Sequence, residues 1–186
     1  MNLVDQATQF IAQRYEGKHR TVMQIPYAAH LFGVARILKS EGYHEAIVTA
    51  GLLHDLLEDG IATEQEIEEL FGQNVLLLVK SATELPKTYE WQLRKEEVIA
   101  RIGEKSEDEL AILLAEKIYN LRSIIVEINQ FGDSLWTKFN APKEKQEWYY
   151  RSIVEETMKY HPQARLLPQL VQVIDELFVN SEHELF

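Results

Sequence analysis

Apolar positions along the chain recur with the period of a helix rather than alternating as in a strand. Leu3, Val4, Ala7, Phe10 and Ile11 form an i, i+3, i+4 stripe that predicts a first helix. Pro26 is placed to open a second, because the N–H it lacks has no partner at a helix start. Leu31, Val34, Ala35 and Leu38 supply the apolar face of that helix, and Gly42 closes it. A third helix is predicted from about His44 to Asp59, stopping at Gly60. Its middle, AIVTAGLLHDLL, has no outward polar stripe, so it is expected to lie buried at the centre.

Downstream, Thr63-x-x-Glu66 and Ser106-x-x-Glu109 are capping-box patterns, each marking a helix start. The first is expected to open a short helix ending at Gly72, followed by another over about Asn74–Glu84, closed before Pro86. A charged amphipathic segment covers about Tyr89–Lys105. The second box opens a long helix through LAILLAEKIYNLRSIIVEI, in which Ile124, Ile125 and Val126 favour strand locally but continue the helical pattern. Phe131–Pro142 reads as a loop, and two final helices cover roughly Lys143–Tyr160 and Gln163–Asn180. The pattern contains no convincing strand, repeat or low-complexity tract. It predicts one all-α domain over residues 1–186, a compact bundle of eight or nine helices.

Composition narrows the function. A chain of 186 residues, 46% hydrophobic throughout, suits one globular domain with a full core. No apolar run approaches the ~20 residues needed to cross a bilayer, and the N-terminal residues lack the features of a secretory signal. The expectation is a cytoplasmic protein without a membrane partner. Absent cysteine rules out disulfides and thiolate zinc sites. The formal net charge of −11 disfavours nucleic-acid binding, although a cation and local basic residues can still hold a small phosphorylated substrate.

The chemistry concentrates in His54-Asp55-Leu56-Leu57-Glu58-Asp59. On a helix, one turn would gather an imidazole and three carboxylates near a common edge. Burying that much polarity unpartnered costs several kcal/mol, and a divalent metal is an economical compensation. A hydrogen-bonded His–Asp pair is the plainer alternative, and spacing alone does not separate the two.

AHLFGVARIL, AGLLHDLLEDG, the segment Thr63–Val75 and LAEKIYNLRSI occur in this order. In that order and spacing they resemble the HD-domain phosphohydrolases. More narrowly, the chain is similar to the hydrolase domain of the RelA/SpoT homologues and their small stand-alone versions, over about Ala7–Arg151. The resemblance implies metal ligands His30, His54, Asp55 and Glu116, with Glu58 and Asp59 as the catalytic acidic pair. It places Arg20, Lys117 and Asn120 near a nucleotide, whereas Arg122 either joins them or supports the fold. It further implies one divalent ion, Mn²⁺ by preference, and a guanosine 3′-pyrophosphate alarmone as substrate. A general nucleotidase and a non-catalytic nucleotide-binding domain are the alternatives.

Some positions depart from the family pattern. Glu116 stands where the family has aspartate, Leu31 follows the first histidine in place of proline, and Thr21 and Gly60 replace a basic residue and a threonine. The aromatic segment from Trp136 to Tyr150 is expected to pack on the core, with Tyr149 or Tyr150 as a contact at the pocket rim.

Overall fold

The computed structural model describes residues 2–20 and 25–179, so Thr21 and Asn180 lie outside the described residues. Among these, nine α-helices and two short 3-10 turns make up the regular structure, and the only β pairing is an isolated bridge between His19 and Pro26. The helices are α1 (Leu3–Arg14), α2 (Ala28–Ser40), α3 (Glu45–Leu53), α4 (Glu64–Phe71), α5 (Gln73–Ala82), α6 (Trp91–Ala100), α7 (Glu107–Phe131), α8 (Lys143–Tyr160) and α9 (Leu167–Phe178). The all-α expectation holds.

Local sequence explains most boundaries. Both capping boxes form: Thr63 and Ser106 accept from the backbone N–H groups of Glu66 and Glu109, whose carboxylates bond back. Pro26 lies just before α2, where it pairs across the bridge with His19. The predicted loop Phe131–Pro142 contains a 3-10 turn, Asp133–Lys138, which buries Leu135 and Trp136. Trp136 stacks on Phe178 at 5.8 Å, tying that segment to α9.

The 25-residue α7 packs against α2, α3, α5 and α9, and α3 packs against α1, α2 and α5. Every residue of α3 from Ile47 to Leu53 is buried, as its lack of a polar stripe implies. Its end differs from expectation. The helix stops at Leu53 rather than Asp59, because the Gly51 carbonyl is taken by the His54 side chain, Nδ1 to O 2.7 Å. The chain then continues in turns, held by Leu56 N–H to Leu53 O and Asp59 N–H to Asp55 O. Gly60 ends this stretch at φ 63°, in the left-handed region that favours glycine.

Lys105 illustrates what the packing costs. Buried at the entrance to α7, its Nζ donates to the Ser81 carbonyl at 2.8 Å and hydroxyl at 2.9 Å. Burial, aided by the charge of Arg101, pulls its pKa down to about 8. The folded chain therefore binds this proton more weakly than the unfolded chain, whose lysine titrates near ~10.4. Stability should rise as pH climbs from about 8 toward 10. Urea unfolding across that window is expected to show the slope in wild type and a flatter profile in Lys105→Met.

Candidate metal centre and adjoining pocket

The turn after α3 and the first turn of α2 converge on one point. His30 and His54 are 3% and 2% exposed, and their Nε2 atoms face each other at 3.2 Å. Asp55 closes the triangle, with Oδ2 3.4 Å from His30 Nε2 and Oδ1 3.3 Å from His54 Nε2. Donor atoms of these three residues all lie within 4.8 Å of one another. Separations near 3.3 Å are what donors about 2.0–2.2 Å from a common cation would show. The Gly51 carbonyl fixes the proton of His54 on Nδ1, leaving Nε2 as a lone-pair donor. Two imidazoles and a carboxylate at this spacing can hold a divalent metal.

The electrostatics agree. Burial pushes His30 down, toward the neutral form that binds metals. Burial pushes Asp55 up, but the neighbouring His54 and His30 and the Tyr27 hydroxyl outweigh it and hold the carboxyl well below the usual range. Tyr27 donates to Asp55 Oδ2 at 2.8 Å, and Tyr15, stacked on Tyr27 at 5.0 Å, donates to Asp59 Oδ2 at 3.1 Å. Burial and these carboxylates raise both hydroxyls above their ordinary pKa, so both stay protonated donors. A close helix crossing supports His30. A Cβ on Gly33 would come within 1.8 Å of Tyr119, whose ring lies edge-on to His30 at 5.2 Å.

The other expected residues surround this triangle without joining it. Both Glu116 oxygens accept from Lys117 Nζ, at 3.0 and 2.9 Å, and Asn120 Nδ2 donates to Oε1 at 3.0 Å. Burial would raise the Glu116 carboxyl, but Lys117 and the two histidines hold it low. Glu58 pairs with Arg94 at 3.0 Å, and Asp59 with Lys87 at 2.9 Å. Burial and the charges of Glu84 and Asp55 push Glu58 up despite Arg94. Arg122 is exposed and forms no ion pair among the described residues.

Beside the triangle opens a cavity of about 380 Å³, whose lining includes Arg20, Glu116, Lys117, Asn120 and Tyr149. Arg20 Nη2 donates to Asn120 Oδ1 at 3.1 Å, linking two residues a hundred positions apart. Tyr149 is buried, with Lys95 and Lys117 above its ring at 5.0 and 5.4 Å. Tyr149 and Tyr150 both line the cavity as buried residues.

Three residues here escaped sequence reasoning. Glu84 accepts from Lys95 at 2.8 Å and Arg94 at 2.9 Å and lies 3.7 Å from Lys117. It organises the cations of the site. Lys95 and Tyr27 face the cavity. Tyr27 carried a weak signal, three residues before His30; Glu84 and Lys95 sit in charged segments that resemble any solvated face.

A family model described as HD domain matches residues 7–144. The guanosine-3′,5′-bis(diphosphate) 3′-pyrophosphohydrolase MESH1 of Xenopus tropicalis is 37% identical over 125 residues, covering 66% of this chain and 69% of that protein. A crystal structure of a Listeria monocytogenes EGD-e protein superposes with TM-score 0.73 at 33% identity, covering 80% of this chain and 98% of that one. A metazoan ortholog of SpoT, whose structure is described as that of a protein that hydrolyzes ppGpp, superposes with TM-score 0.77 at 27% identity over 95% of this chain and 96% of its own. With the His30, His54 and Asp55 triangle formed and three-quarters of its length matched, the chain belongs to the HD-domain family.

Proposed function

We propose that this protein is a metal-dependent pyrophosphohydrolase that removes the 3′-diphosphate of a guanosine alarmone such as ppGpp, giving GDP and pyrophosphate. The observation that carries the reading is the meeting of two buried imidazoles and Asp55 beside a cavity lined by cations. A relative named as a guanosine-3′,5′-bis(diphosphate) 3′-pyrophosphohydrolase is 37% identical over two thirds of the chain, and one described as hydrolyzing ppGpp shares the fold.

His30, His54 and Asp55 would hold one divalent ion, with Glu116 as fourth ligand once its carboxylate turns from Lys117. Ligands of this type suit Mn²⁺, the ion we assign. When bound, such an ion supplies Lewis acidity toward water and a phosphoryl oxygen. The bond that breaks joins the ribose 3′-oxygen to phosphorus. Water contributes the new oxygen of pyrophosphate, and one of its protons completes the 3′-hydroxyl. Glu58, pushed toward its protonated form by burial and by Glu84, is suited to exchange that proton. Asp59, fixed by Tyr15 and Lys87, orients the water. Lys95 and Lys117 offset phosphate charge inside a site where each cation counts for more than in water, and Arg20 faces the nucleotide in the same cavity. Asn120 holds Arg20 in place, and Tyr149 supports both lysines from beneath. No helix of the described residues is long and apolar enough to cross a membrane.

A product panel tests the reading. Protein supplied with Mn²⁺ and ppGpp should release pyrophosphate and GDP in equal amounts. Orthophosphate from nucleoside 5′-monophosphates, with ppGpp left intact, would assign it as a nucleotidase instead.

A further inference from the structure

One stripe of α7 runs the length of the cavity. Glu116, Asn120, Ser123 and Glu127 follow one another at +4, +7 and +11 and all line it. Eleven residues return a helix to within about 20° of its starting direction after a rise of about 16.5 Å. Glu127 therefore marks the end of the cavity remote from the metal triangle. It is 5% exposed, and its Oε2 has no hydrogen-bond partner among the described residues. Arg20 Nη1 is likewise buried and unpartnered among them, although Nη2 of the same guanidinium is held by Asn120. A buried acceptor and a buried donor thus stand open in the same cavity. Groups left so are rare in folded proteins and call for a reason.

The charged side chains acting on Glu127 are Arg20 and Lys138, which oppose the upward push of burial on its carboxyl. Its own negative charge repels phosphate, so the substrate's phosphates belong at the lysine-rich end and an uncharged part belongs here. That part must offer N–H donors to a carboxylate and, beside them, an acceptor to a guanidinium. The Watson–Crick edge of guanine presents N1–H and the 2-amino group in a row, with O6 adjacent. Adenine presents an unprotonated N1 in the middle of that edge, which a carboxylate would repel. We infer that Glu127, with Arg20 Nη1 open to the same cavity, reads the base of the substrate and selects guanine over adenine. This assignment rests on the alarmone reading above and deepens it. The motifs of the sequence gave no sign of it, because Glu127 lies beyond the last recognised block.

The test compares kcat/KM for ppGpp and its adenosine counterpart in wild type, Glu127→Gln and Glu127→Leu. Wild type should prefer the guanosine compound by on the order of tenfold or more, the worth of one good bidentate base contact. Glu127→Leu should abolish most of that preference through KM, leaving kcat within about threefold, since the residue is far from the bond that breaks. Glu127→Gln, which keeps one acceptor, should fall between. An unchanged guanosine-to-adenosine ratio in both variants would overturn the inference. If wild type hydrolyses neither compound, the alarmone reading fails, and calorimetric binding of GDP against ADP decides this proposal by itself. Tighter GDP binding that Glu127→Leu equalises sustains it, whereas equal binding of both by wild type overturns it.

Discussion

Asp55→Ala is expected to reduce turnover of ppGpp on the order of a thousandfold or more while leaving the helical fold in place. The carboxylate closes the triangle with His30 and His54, at 3.4 and 3.3 Å. Without it, two neutral imidazoles and Glu116 remain to hold a dication, and half of the negative charge of the ligand set is gone. Metal-assisted stabilisation of a phosphoryl transition state contributes several kcal/mol, and each 1.36 kcal/mol is about tenfold in rate. The structural cost is smaller. The Tyr27 hydroxyl loses its acceptor, a penalty of about 1–3 kcal/mol, which an intact far-UV circular dichroism spectrum would show to be tolerated. Restored activity in this variant on adding Mn²⁺ at moderate excess would place the ion elsewhere.

The second large effect concerns stability. Lys117 is 2% exposed and binds both oxygens of Glu116. Burial alone would lower its pKa, yet Glu116, Tyr149 and Glu84 raise it well above the ordinary lysine value, so it is charged. Removing one partner of a buried ion pair costs about 3–5 kcal/mol, because the other charge is left uncompensated. Lys117→Met, unfolded by urea in chelated protein, is expected to lose stability of that order. Replacing both partners, in Lys117→Met/Glu116→Leu, should recover most of it, since a desolvated pair contributes little against apolar residues of similar volume. Activity should not return in the double variant if Glu116 is a metal ligand. A single variant as stable as wild type would show that Lys95, whose charge also acts with Glu116, already compensates the network.

The fold was legible because its signals are local. Capping boxes at Thr63 and Ser106, the all-apolar run of α3 and the stripe of α1 each state a helix in a few residues. The end of α3 was not legible, because it depends on which donor reaches the Gly51 carbonyl, and the His54 ring takes it. Beyond that end Glu58 and Asp59 pair with Arg94, Lys87 and Tyr15 rather than sharing one helix edge with His54. Of the site, His54 and Asp55 could be read from buried polarity in LLHDLL, whereas His30 came forward only through resemblance to a family. Glu84, Lys95 and Glu127 have no motif, since their roles arise from contacts made across the bundle. The exchange of aspartate for Glu116 finds a physical partner in Lys117 and Asn120, which hold the longer side chain against α7.

In the proposed reaction, cation binding at His30, His54 and Asp55 drives release of pyrophosphate from a guanosine alarmone. Chelated protein titrated with Mn²⁺, with GDP and pyrophosphate quantified at each step, tests it most directly. Turnover should rise from baseline to a plateau at one ion per chain, with the two products in equal amounts. Turnover indifferent to chelation, or orthophosphate in place of pyrophosphate at the plateau, would contradict it.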